Sequence, residues 1–145
     1  MDDPYDLERF VTAQDSGGAF GTALAELRRG RKTSHWIWFV FPQLAGLGRS
    51  PTARRYAISS LDEARAYLRH PVLGPRLAEA AHTLIDQPGT DADQIFGGLD
   101  ALKLRSSMTL FHRADPDDQL FSQVLTQYFG GGEDPATGDL LGRSG

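Results

Sequence analysis

The chain reads as a single all-α domain, a compact orthogonal bundle of short helices joined by loops. Apolar residues recur at helical spacing in successive segments: Leu7, Phe10 and Val11; Phe20, Ala23, Leu24 and Leu27; Leu61, Ala64, Tyr67 and Leu68. Stretches that alternate with the two-residue period of a strand are scarce. The length of 145 residues, with 40% apolar and 23% charged, suits one globular domain and lies far from the signature of disorder.

Boundary signals agree with each helix in turn. Asp3-Pro4 places a capping side chain ahead of a proline at a first helical turn, and Gly17-Gly18 interrupts the pattern after it. The second helix stops at Gly30. A short helix follows, with Thr33 or Ser34 as its capping hydroxyl. Ser60 with Glu63 three residues on forms a capping box, Pro71 breaks the helix it opens, and the next runs from near Val72 to Pro88-Gly89. Asp100, Lys103 and Ser106 share a later helix, and Asp115-Pro116 opens a last one that reaches about Phe129. Residues 1–132 thus form one helical domain. Gly130-Gly131-Gly132 and the lack of apolar periodicity beyond them predict a flexible C-terminal tail over 133–145.

Several function classes fall away on composition. There is no cysteine, which excludes disulfides, thiolate metal sites and a cysteine nucleophile. His35, His70, His82 and His112 show no metal-binding spacing, so neither a metal nor a cofactor is expected. The N-terminus is acidic and the longest apolar run, Trp36 to Phe41, is far shorter than the roughly 20 residues of a spanning helix, so a cytoplasmic protein off the membrane is expected. No Gly-x-Ser-x-Gly elbow is present. The net charge of −4 and the absence of a recognition-helix motif argue against specific DNA binding.

The most informative feature is where the charges lie. Between Glu26 and Asp62 there is no acid, while Arg28, Arg29, Arg31, Lys32, Arg49, Arg54 and Arg55 supply seven positive charges. Local charge sets the potential that a ligand meets, although solvated surface alone also accounts for such a run. Within it, Lys32, Ser34 and His35 precede Trp36, Trp38 and Gln43; helix-end N–H groups, a cationic side chain and aromatic faces together suit a phosphate- or nucleotide-like anion. Phe39 and Phe41 are read as core. Gly48, Arg49 and Ser50 form a second anion-competent turn, in which glycine permits close approach and arginine offers paired donors. A third segment sets Asp100, Lys103 and Ser106 on one helix face. Lys103 stands out as one of two lysines beside 13 arginines. Asp100, Lys103 and His35 are the acid–base candidates.

Taken together, Leu7-Glu8-Arg9-Phe10-Val11, Lys32-x-Ser34-His35-Trp36-x-Trp38-Phe39-x-Phe41-Pro42-Gln43, Gly46-Leu47-Gly48, Glu63-Ala64-x-x-Tyr67-Leu68-x-His70-Pro71 and Asp100-x-x-Lys103-Leu104-x-Ser106-Ser107-Met108 closely resemble the bacterial family called domain of unknown function 1810. The resemblance covers about residues 5 to 128 and implies a mainly helical fold. Its polar motif positions, Lys32, Ser34, His35, Gln43, Asp100, Lys103 and Ser106, are matched without departure. Members are sometimes labelled calpastatin-like, a description with no counterpart in these residues. A more distant similarity to helical enzymes that act on ADP-ribose conjugates extends the expectation to that chemistry. Two functions follow: a pocket for an anionic small molecule, with or without catalysis, or a non-catalytic domain that docks an acidic protein or RNA through its basic 28–55 segment.

Overall fold

The computed structural model describes the backbone of residues 3–144 and the side chains of residues 3–142. It is all helical: α1 (Glu8–Asp15), α2 (Ala19–Arg29), α3 (Ile37–Val40), α4 (Pro51–Arg55), α5 (Leu61–Arg69), α6 (Leu73–Ile85), α7 (Ala92–Phe96), α8 (Gly98–Ala114), α9 (Gln119–Phe129) and α10 (Pro135–Ser144). No strand occurs among the described residues; one isolated parallel bridge joins Leu44 to Ile58. None of these helices is long and apolar enough to cross a membrane.

Helix α8 is the centre of the fold, with α3, α5, α7, α9 and α10 packed on it. Its sequence explains the position, since every residue from Ser106 to Phe111 is buried, on all sides of the helix. Phe10, Tyr67, Phe111 and Phe121 link α1 and α5 to α8 and α9 as a chain of ring contacts, with centroids 5.2 to 5.8 Å apart.

Local chemistry sets most boundaries. Asp3 accepts hydrogen bonds from the Leu7 and Glu8 amides and so leads into α1. Gly30, in the left-handed region at φ 73°, ends α2. Ser60 Oγ accepts from Glu63 N, but the Glu63 carboxylate turns back to Ser59 N and Oγ; the box closes one residue early. Glu63 also meets Arg9 at 3.0 Å. That guanidinium donates in addition to the carbonyls of Tyr5, Asp6, Arg55 and Ala57, so all five of its donors are taken. At the α5–α6 corner a side chain on Gly74 would put its Cβ 2.2 Å from the Leu68 carbonyl oxygen.

Two expectations change. Residues 133–145, expected to be a flexible tail, instead contain α10, whose Thr137 and Leu141 are buried. Asp134 anchors it: its carboxylate accepts from Ser106 Oγ, Thr137 N and Thr137 Oγ, and its amide donates to Thr109 Oγ. Nor does Thr33 or Ser34 cap α3, whose N-cap is Trp36 without a side-chain bond.

Candidate functional site

Residues 30–36 make a loop that links the end of α2 to α3 and is tied to α7 by Lys32 N donating to Ile95 O at 2.7 Å. This loop does receive an anion, and the anion is the chain's own. Glu26 Oε1 accepts from Thr33 N at 2.7 Å, Ser34 N at 2.9 Å and Trp36 Nε1 at 2.9 Å, and Oε2 accepts from Ser34 Oγ at 2.5 Å. Burial alone would push the Glu26 carboxyl up, yet the four donors outweigh it and hold the group at about 2. Trp36 is accordingly core, 1% exposed, and offers no stacking face to a ligand. Sequence reading missed Glu26. Its signal was there: it is the last acid before the acid-free run.

The core placement of this segment follows helical geometry. Trp36, Ile37, Val40 and Phe41 are buried, one stripe at spacings of one, four and five. Trp38 and Phe39 therefore turn outward. Phe39, expected in the core, is only half-buried against Tyr56, with ring centroids 5.5 Å apart.

A second cluster forms where the loop meets α8. Lys32 Nζ lies 2.7 Å from Asp100 Oδ2, and Lys103 Nζ lies 3.0 Å from Asp100 Oδ1. Lys32 also donates to Ser34 O at 2.5 Å and its side chain is 6% exposed. Each ammonium faces a tryptophan ring: Lys32 sits 5.1 Å from the Trp36 centroid and Lys103 sits 5.0 Å from that of Trp38. Burial would raise the Asp100 carboxyl, but the hydrogen bonds and charges of Lys32 and Lys103 lower it overall. Asp100 also lies in the first turn of α8, where the helix dipole favours a negative charge. Ser107 occupies the same stripe of α8, seven residues on from Asp100, and its buried Oγ has no hydrogen-bond partner.

The remaining candidates have other surroundings. His35 is exposed and outside this cluster. Ser50 Oγ caps α4 by accepting from Ala53 N. Gly48 leaves room for α4, since a Cβ there would lie 2.5 Å from Ala53 Cβ. Arg49 is exposed and Gln43 half-buried, and neither joins Lys32. Ser106 Oγ lies 3.1 Å from both Leu102 O and Asp134 Oδ2, which share its single proton. Sequence reading also missed that Leu99 and Leu102, 78% and 57% exposed, flank Asp100 and Lys103. Among the described residues no group of three or more acids and histidines has the placement to hold a metal ion.

Comparison with known proteins identifies the line of descent. The family model described as protein of unknown function (DUF1810) matches residues 4–141. The chain belongs to this family. A crystal structure at 1.38 Å of the conserved hypothetical protein Rv1873 from Mycobacterium tuberculosis is similar over 97% of this chain and 99% of that one, at 54% identity and a TM-score of 0.93. No curated protein matches.

Proposed function

We propose that Lys32, Lys103, Asp100 and Trp38 form a binding site for a small phosphate-bearing or nucleotide-like anion. The observation that carries this reading is the convergence of the chain's two lysines on one carboxylate. Two ammonium groups against one acid leave a net positive charge, partly buried, where an anion is attracted more strongly than at an open surface. An ammonium has three N–H donors. Lys103 uses one on Asp100 and Lys32 uses two on Asp100 and Ser34, so three remain to hold oxyanion oxygens. Trp38 supplies a ring face beside them. If the bound molecule reacts, Asp100 and Lys103 are the acid–base pair within reach; ADP-ribose conjugates are one class to try.

A thermal-shift series with inorganic phosphate, AMP, ADP-ribose and a sugar phosphate tests the site. A ligand present at 100 times its dissociation constant stabilises the native state by about 2.7 kcal/mol. The shift should vanish in Lys103→Ala and shrink in Trp38→Ala. A shift that survives both substitutions, or no shift with any of these probes, refutes the reading.

The alternative, a domain that docks RNA or an acidic protein, draws on the exposure of Arg28, Arg29, Arg31, Arg49, Arg54 and Arg55. It requires binding to single-stranded RNA or polyglutamate that weakens steeply with salt and is insensitive to Lys103→Ala.

A further inference from the structure

Away from the lysines, a cavity of about 610 Å³ opens between the N-terminal turn and the α5–α6 corner. Its size falls within the roughly 300–1,000 Å³ of small-molecule sites. Pro4, Tyr5, Leu7, Ala66 and Pro71 give it an apolar wall, and His70 is the polar group set into that wall. The backbone sets the tautomer of the imidazole: Nδ1 accepts from Val72 N at 3.1 Å and from Leu73 N at 3.2 Å. A nitrogen that accepts two N–H groups carries no proton, so the ring proton is on Nε2. His70 lines the cavity, and among the described residues no hydrogen bond takes its Nε2–H.

The charges at the rim restrict what that donor receives. Asp3 and Glu8 line the cavity, and Asp3 is pinned there by its bonds to the Leu7 and Glu8 amides. Arg9, the neighbouring cation, has every donor occupied. A bound anion would meet two carboxylates at the rim and find no free donor on Arg9. A neutral acceptor meets none of that repulsion.

We propose that this cavity binds a small neutral molecule, an apolar ring or chain that carries a hydrogen-bond acceptor for His70 Nε2–H. Benzamide and benzoate share a ring and differ in charge, which makes them the probes. In a ¹H–¹⁵N titration of the whole chain, benzamide should move the resonances of Tyr5, Ala66 and His70 saturably, and benzoate should bind at least about tenfold more weakly. Ala66→Phe fills the cavity and should abolish the benzamide response with the rest of the spectrum dispersed as before. His70→Asn sets Oδ1 where Nδ1 stands, keeps the bonds to Val72 and Leu73, and removes the Nε2 donor; affinity should fall about fivefold, the worth of one neutral hydrogen bond. The proposal fails if benzamide gives no saturable shift, if benzoate binds as tightly, if Ala66→Phe leaves binding intact, or if His70→Asn leaves affinity unchanged.

Discussion

Glu26 and Asp100 are both carboxylates held by the segment 32–36, and they end in different states. Glu26 takes four donors, none from a formal cation, and is 2% exposed. Asp100 takes two ammonium groups that retain donors of their own. The first arrangement is closed, because every lone pair that matters is matched and the charge is held by dipoles that fold with it. The second is unbalanced by one positive charge. Matched donors stabilise a fold, whereas surplus donors remain open to a ligand, so the two regions should respond in opposite ways to mutation.

The largest effect is expected at the closed site. Glu26→Ala strands the Thr33 and Ser34 amides and the Trp36 indole in a buried place, and should lower the unfolding free energy by about 4 kcal/mol in urea titration. A loss below 1 kcal/mol would mean that water replaces the carboxylate and that the site is less closed than its geometry implies.

Acid should find the same site next. The Glu26 carboxyl is depressed from its ordinary 4.5 to about 2, so its contribution is fully present above pH 4.5 and disappears as pH falls toward 2. The shift corresponds to about 3 kcal/mol. Asp100 is shifted in the same direction and adds to the same limb. Denaturation followed from pH 6 to pH 2 should therefore show a steep loss, and Glu26→Ala should be flatter over that window.

Smaller effects separate the two lysines. Lys32→Met keeps the buried stem but leaves Ser34 O and half of Asp100 without their donor; about 2 kcal/mol is expected by chemical denaturation. Lys103→Ala removes a partly exposed ion pair and should change stability by no more than about 0.5 kcal/mol. If Lys103→Ala proves as damaging as Lys32→Met, Lys103 belongs to the architecture and the open site is not open.

What could be read from the sequence follows from how local the cause is. Phe20, Ala23, Leu24 and Leu27 are all buried, as a helical period requires, and Ser60 caps α5 through bonds spanning three residues. Helix α10 escaped notice because its anchor is polar and distant: Asp134 is matched by Ser106 and Thr109, on α8. At the site, the scarcity of lysine and the missing acids single out Lys32 and Lys103, which meet on Asp100, whereas His35, grouped with Asp100 and Lys103 as an acid–base candidate, lies exposed and apart. The fate of Ser34 and Trp36 was not. A hydroxyl and an indole announce that they donate without saying to what, and their acceptor lies eight and ten residues back across a turn.

The tight corner at Gly74 has a consequence for reading mutational scans. Its α-carbon hydrogen faces the Leu68 carbonyl oxygen where any other residue would place carbon at 2.2 Å, and the obstacle is backbone that cannot rotate away. Every substitution adds at least that carbon, so the position has no conservative replacement. A survey of tolerated changes would rank Gly74 beside residues that bind or react, on steric grounds alone. Intolerance at this corner records a steric veto, and the sites worth testing for chemistry are those where a change of side chain leaves the chain folded.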